Sequence, residues 1–461
     1  MTNRAFRFSS PSLSFVLLSI LLSTLWLGGG ASKADTLGQM LVRVISWLTL
    51  VVVALFGVRP RLTEAKPVLF LMIAAIGLAL LQLMPLPPGL WEQLPGRALL
   101  AEAAAASGQP QPWRPLAIVP GAAMNAAGSL IVPFVTYTLL TSLSKNDLRW
   151  VHGLMLILVL AATLVGLLQF SGARFNNLFV NDTLGEVSGT FANRNHFALF
   201  IAMGCTLVPT WAFLDGRAPR WRAPAAFGLT ILLVLTVLAS GSRAGLALGA
   251  IGLACGLFIV RREIRRMLSR YPRWVFLSLI VSIVVMVGIS ILISVAADRA
   301  VAIHRMITMD PGQDMRSRGF PVVLDMIKFY FPFGSGLGGF DPLFRLHEPF
   351  ALLKPTYFNH AHNDWLEIIL DAGVPGSLLL AAAVVWWGLS SIRAWREQVH
   401  GSVMLARLGS VWIGLVFAAS VFDYPARTPM IMAVIVIAAW WLNGGPRTFA
   451  TPALPDDDQH L

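Results

Sequence analysis

Residues 224–260 read PAAFGLTILLVLTVLASGSRAGLALGAIGLACGLFIV, with Arg243 as the one charged side chain in the stretch. The apolar runs 224–241 and 244–260 each approach the about 20 residues a helix needs to cross a bilayer, and almost no loop separates them. The pair therefore reads as a membrane hairpin. Outward from it, 56% of the 461 residues are hydrophobic and 13% charged, about half the charged share of a soluble domain, and the mean hydropathy is +0.70. An ordinary soluble globule is excluded. Comparable apolar stretches lie at 13–30, 37–57, 67–84, 119–142, 150–170, 196–214, 273–296, 374–394, 402–421 and 428–443, which with the hairpin makes twelve expected spans. Pro120, Pro133 and Asn125 interrupt the fourth. Arg4 and Arg7 before the first, and the small-residue run from Ala31 to Ala34 after it, fit a cleaved signal, but charge consistency favours a retained helix.

With the N-terminus inside, short inner segments hold 20 of the 35 Lys and Arg residues and short outer connections hold 7. The positive-inside bias thus places both termini in the cytoplasm. The chain divides into an N-terminal transmembrane bundle of about nine helices (1–296), a large periplasmic loop (297–362), and a short interfacial helix with C-terminal transmembrane helices and a cytoplasmic tail (363–461). Arg261, Arg262, Arg265, Arg266, Arg270 and Arg273 form the strongest inner anchor, read as a topology signal ahead of anionic-lipid binding. The net charge of +12 is explained by such flanks, so nucleic acid is not expected as a partner. Cys205 and Cys255 lie in apolar runs without paired spacing, which argues against disulfides or a cysteine metal site. Gly334, Gly336 and Gly339 match G-x-G-x-x-G formally but lack a strand before and a βαβ pattern after; the stretch reads as a flexible turn. Asp456, Asp457 and Asp458 read as a solvated tail.

Five histidines, His196, His304, His347, His360 and His362, fall on the outer side. The densest group is Asn359-His360-Ala361-His362-Asn363-Asp364, running into a short helix capped by Asn363 or Asp364. Trp365, Leu366, Ile368 and Ile369 are its expected buried side, Gly373 its left-handed end, and Pro375 its stop. The positive end of that helix disfavours imidazolium at His362, leaving an imidazole able to accept a hydroxyl proton. Such general-base help is worth about 10² to 10⁴ in rate. The plainer reading, that both histidines cap the helix, has equal weight on spacing alone. Zinc held by His360 and His362 lacks a completing carboxylate or cysteine set, so no metal and no cofactor are expected. Arg243, Arg194 before Asn195 and His196, and Arg316 and Arg318 supply guanidinium groups at the outer boundary, where they suit phosphate oxygens; for any one of them, interfacial snorkelling is the simpler account.

Together these residues resemble the O-antigen ligase and O-antigen polymerase superfamily. Its signature is His, then Asn, Ser or Gln, then nine residues, then G-x-x-G; here His362-Asn363, Asp364 to Ala372, and Gly373-Val374-Pro375-Gly376 match without a gap. The stretches 191–198 and 240–245 support the likeness. The resemblance implies an all-α polytopic bundle of about twelve transmembrane helices, GT-C type, in the bacterial inner membrane, with its active site facing the periplasm. It implies His362 as catalytic residue and Arg243 as essential, and a loop arginine, Arg318 in preference to Arg316. It also implies an undecaprenyl-diphosphate-linked glycan donor and a glycolipid (lipid A core) or glycan acceptor, with membrane lipids as surroundings.

The expected chemistry is metal-independent, inverting transfer. His362 deprotonates the acceptor, while Arg243, Arg194 and Arg318 contact the diphosphate or glycan, with Arg316, Asn195, His196, His360 and Asn363 as further binding candidates. A ligase leads; a polymerase on the same donor, a protein O-oligosaccharyltransferase and a non-enzymatic lipid-linked glycan transporter follow. A carrier would place ionisable groups near the midplane, where only Arg43 falls, and the rest cluster at the outer mouth.

Overall fold

The computed structural model describes residues 10–61, 65–173, 177–181, 185–215, 219–269, 311–353, 358–398 and 401–444, with seven isolated positions between 272 and 292. Most of the expected span 273–296, residues 297–310 with His304, and the acidic tail lie outside the described residues.

The described chain is helical. The principal helices are α1 (Leu13–Gly28), α2 (Leu37–Phe56), α3 (Lys66–Leu81), α4 (Pro120–Ser129), α5 (Ile131–Ser142), α6 (Val151–Phe170), α7 (Arg194–Phe213), α8 (Arg222–Ala239), α9 (Arg243–Ile259), α10 (Arg261–Leu268), α11 (Pro311–Tyr330), α12 (Phe340–His347), α13 (Asp364–Arg396), α14 (Gly401–Ala419) and α15 (Pro429–Leu442). Among the described residues, seven helical stretches are long and apolar enough to cross a membrane, with α4 and α5 taken together, and eight if α9 and α10, bent by 63°, count as one; α1, α3 and α15 are shorter apolar helices. The chain is a multi-pass membrane protein. Eleven of the twelve expected stretches fall on these helices, and the fourth is broken at Leu130 between its two prolines.

The α7 helix is the axis of the bundle, 94% buried along its apolar window. Against it lies α9, whose Gly245, Gly252 and Gly256 face α7 so closely that an added Cβ would come within 2.2 Å of the Ala198 Cβ, 2.5 Å of the Ala202 carbonyl oxygen and 2.8 Å of Pro209. Small residues permit that approach in a medium where apolar side chains gain little by leaving lipid. Side-chain oxygens of Asn193, Ser242 and Asn363 accept from backbone N–H groups in the first turns of α7, α9 and α13. All three N-termini meet at one end of the bundle, since Ser242 donates to Asn195 and Asp364 N–H donates to the Ser420 carbonyl just after α14. The intramembrane Arg43 finds its partner on α4, donating to the backbone and side-chain oxygens of Asn125 at 3.1 and 2.6 Å.

Within the stretch expected as the large loop, residues 311–353 contribute helices, and Val323, Met326, Tyr330, Phe340, Phe344 and Phe358 form an apolar core closed by Leu370 of α13. A two-residue antiparallel ladder pairs Pro85 with Pro115 and Leu86 with Arg114 beside this cap. The glycine stretch is pinned, not flexible. Ser335 N–H and Gly336 N–H donate to the carbonyls of Leu370 and Asp371 at 2.9 Å, Ile118 N–H donates to the Ser335 carbonyl, and buried Arg97 donates to the Gly334 carbonyl. Gly336 lies where a Cβ would meet Ala117 Cα at 2.5 Å, so glycine is needed for contact and not for mobility.

Candidate active site

His362 stands directly before the α13 cap with a backbone φ of 52°. A side chain in that left-handed region costs about 1–2 kcal/mol, so the ring and not the backbone justifies histidine there. Its Nδ1 donates to the His360 carbonyl at 2.9 Å; a carbonyl only accepts, so Nδ1 carries a proton, and in the neutral form of the ring the lone pair is on Nε2. Phe358 stacks on the imidazole at 4.9 Å, and Tyr424 meets it edge-on at 5.0 Å.

Tyr424 is the hub. Its ring lies 4.2 Å from that of His360 and 5.1 Å from that of His196, and Asn359 donates to its hydroxyl at 3.4 Å. One residue earlier, the Asp423 carboxylate accepts from Asn193 at 3.0 Å and Asn195 at 2.7 Å. Asn195 in turn accepts from Ser242 at 2.7 Å, the residue that caps α9 ahead of Arg243. An unbroken series of contacts therefore runs from His362 through Tyr424, Asp423 and Asn195 to the start of α9. His196, 2% exposed, is buried with Nε2 at 3.5 Å from Asp423 and its ring against Tyr424, and neither of its ring nitrogens makes a hydrogen bond to a described residue.

Arg243 opens α9 with its side chain exposed. Arg194 opens α7, 3.7 Å from Glu186 and within 3.9 Å of where a Cβ on Gly241 would stand, so the two arginines flank one mouth. Arg318 on α11 is exposed and donates to the Ala351 carbonyl at 3.1 Å; its neighbour Gly319 packs on Phe358, the ring beneath His362. Arg316 lies on the same helix. Asn363 accepts from Leu366 N–H as the cap and donates to the Val421 carbonyl at 3.0 Å.

The expected polarity of the short helix is inverted. Its buried positions are Asp364, Glu367, Leu370 and Asp371, while Trp365, Leu366, Ile368 and Ile369 are partly exposed. Trp365 packs on Phe417 and Leu366 on the core around Phe344 and Phe358, so the apolar side is partly covered by protein, while the acids turn fully inward. The break does come at Gly373, with φ 55° and ψ −141°, a glycine-only conformation and not the left-handed helical one, and the helix resumes at once with Pro375 in its first turn.

That inward face meets Arg427, which follows Tyr424 in a short turn of 3₁₀ helix. Its guanidinium reaches Asp364 at 3.2 Å, Glu367 at 3.2 Å and Asp371 at 3.4 Å. Burial opposes the charge on Arg427, but the three carboxylates together outweigh it and raise its pKa. Glu367 also holds the histidine loop: it accepts from Ala361 N–H at 2.7 Å and pairs with His360 Nδ1 at 2.8 Å, while His360 Nε2 lies 3.3 Å from Ser32. His360 is thus bonded on both ring nitrogens and serves to position the loop. The acids and Arg427 escaped the sequence reading, although carboxylates at spacings of three and four on one helix face were a legible signal. Among the described residues, no group of three or more His, Cys, Asp or Glu is arranged to hold a metal ion.

No curated protein matches the chain. Residues 228–381 match the family model Wzy_C, O-antigen ligase, a stretch that takes in Arg243, Arg318, His362 and Gly373 to Gly376. Through this region the chain is similar to the O-antigen ligase family.

Proposed function

We propose that the protein transfers a glycan from undecaprenyl diphosphate to an acceptor hydroxyl at the periplasmic face of the bacterial inner membrane, as an O-antigen ligase acting on lipid A core. The observation that carries this reading is the convergence of the His362 loop with the N-termini of α7 and α9, where Arg194 and Arg243 stand. His362 Nε2 takes the proton of the acceptor hydroxyl as that oxygen attacks the sugar C1. The bond from C1 to the phosphate oxygen breaks in the same displacement, giving inversion and releasing undecaprenyl diphosphate with one added negative charge. Arg243, Arg194 and Arg318 neutralise that charge, the part that a divalent ion plays in many sugar-nucleotide enzymes. Arg316 stands as a second loop contributor, and Asn195, His196, His360 and Asn363 hold these groups in place. Polymerisation onto a second lipid-linked glycan uses the same donor and the same residues, and is the alternative.

The test is transfer by the purified full-length protein from lipid-linked glycan to either lipid A core or a second lipid-linked glycan, with and without EDTA. We expect glycosylated lipid A core, activity unchanged by EDTA, and a loss of at least about 10² for His362→Ala with membrane insertion intact. Product on the second glycan alone replaces ligase with polymerase. Activity that EDTA abolishes and Mg²⁺ or Zn²⁺ restores refutes the metal-free mechanism, and full activity of His362→Ala refutes the assigned base.

A further inference from the structure

At the end of the bundle opposite the His362 site, α9 stops at Ile259 and turns 63° into α10. The last turn of α13 and the second turn of α14 meet it there. Between them lies a cavity of 380 Å³ lined by Arg261, Arg262, Arg396 and Arg407 with Phe258 and Trp395, within the range of about 300–1,000 Å³ common to small-molecule sites. Glu397 is the one acid on its wall. Four guanidinium groups against Glu397 and the nearby Glu263, which also acts on Arg407, leave a net positive pocket.

Its floor is built and not incidental. Arg407 is 4% exposed and donates to the carbonyls of Ala394 at 3.1 Å, Trp395 at 3.4 Å and Glu397 at 2.9 Å, which closes the C-terminal turn of α13. Its guanidinium also lies 5.1 Å from the Trp395 ring, and that of Arg261 lies 3.8 Å from the Phe258 ring. Arg262 and Arg396 are exposed at the rim. The α10 helix sets Ile264 and Met267 against the bundle core and leaves its arginines outward, the disposition of a helix lying in a membrane interface. Aromatic rings at the rim suit the same level.

We propose that this cavity binds the phosphate of an anionic glycerophospholipid headgroup in the cytoplasmic leaflet. Guanidinium forks match phosphate oxygens, and the excess of Lys and Arg in the short segments at this end assigns it to the leaflet that carries anionic lipid. The glycerol ester linkages would sit against Phe258 and Trp395, with the acyl chains left in the bilayer.

The experiment is native mass spectrometry of the full-length protein with phosphatidylglycerol or phosphatidylcholine, and phosphatidylglycerol in competition with inorganic phosphate. Wild type should retain phosphatidylglycerol and not phosphatidylcholine. Arg262→Gln and Arg396→Gln should each weaken retention about fivefold, the factor equivalent to ~1 kcal/mol per arginine near an anionic surface. Both side chains are exposed, so folding survives, whereas Arg407→Gln would also uncap α13. The control is Arg265→Gln with Arg266→Gln, on α10 but outside the cavity, which should leave retention within twofold. Equal loss in that control would show a diffuse basic surface and overturn the pocket; equal retention of phosphatidylcholine, or displacement by inorganic phosphate at millimolar concentration, would overturn the lipid assignment.

Discussion

Replacing Arg427 by methionine keeps a flexible side chain of similar length and removes the charge from among three carboxylates that are 0–5% exposed. At an effective dielectric near 20, each contact at about 3.3 Å is worth roughly 5 kcal/mol of attraction, most of it offset by desolvation and by repulsion between the acids. What remains measurable is the cost of leaving buried charge unmatched, about 3–5 kcal/mol. With 19% of the Arg427 side chain exposed, water reaches the cluster and the lower figure applies. We expect Arg427→Met to lower the unfolding free energy by ~3 kcal/mol, about a hundredfold in the folding equilibrium, measured by titrating the reconstituted protein with SDS in mixed micelles. Adding Glu367→Gln and Asp371→Asn to that variant should restore roughly half of the loss, because the orphaned charges go with the side chains. A loss under about 1 kcal/mol, or no recovery in the triple variant, refutes the ion-pair account and leaves only packing.

Two further outcomes follow from the cap. Gly373→Ala would bring a Cβ to 2.0 Å from the Pro332 carbonyl oxygen at a φ of 55°, so it should cost at least about 3 kcal/mol by the same titration; wild-type stability would show that the break between the two parts of α13 is not held by this contact. His347, whose Nε2 lies 3.0 Å from the Tyr330 hydroxyl, has its pKa lowered by burial. The unfolded chain then binds more protons below about pH 6.5, so the stability linked to burying this ring uncharged is present above that value and is lost as pH falls below it. Hydrogen exchange in residues 326–347, corrected for intrinsic rates, should therefore quicken between about pH 7.5 and about pH 5.5 in wild type and much less in His347→Gln; equal corrected rates at both values would sink the assignment.

The membrane class and the helix positions were legible because bilayer thickness imposes a length that composition reveals directly. Eleven apolar stretches fall on helices, and the Asn363 cap and the Gly373 break follow from short-range rules about orphan N–H groups and positive φ. The polarity of residues 364–372 was misread because an amphipathic rule learned from water turns apolar residues inward, whereas here a distant arginine draws the acids in. Arg427 was invisible for a different reason. Its partners lie 56 to 63 residues away, and no local spacing encodes a contact of that range. The glycine stretch showed the converse: its residues were noticed, but their task depends on the carbonyls of Leu370 and Asp371, which only the folded chain brings near.

The arrangement of charge at this end keeps the buried acids apart from the outer arginines. Asp364, Glu367 and Asp371 are taken up by Arg427, and Asp423 by Asn193 and Asn195, so the buried acids of this end are matched beneath the surface. Carboxylates facing the mouth would lower the positive potential around Arg194 and Arg243 and oppose the proposed diphosphate. The N-termini of α7, α9 and α13 open toward the same mouth, and their partial positive charges add to the two guanidinium groups. Buried acids with an internal cation and surface cations beside helix N-termini make one electrostatic design, in which Arg427 is tied to the His362 loop through Glu367 and holds the acids away from the proposed site.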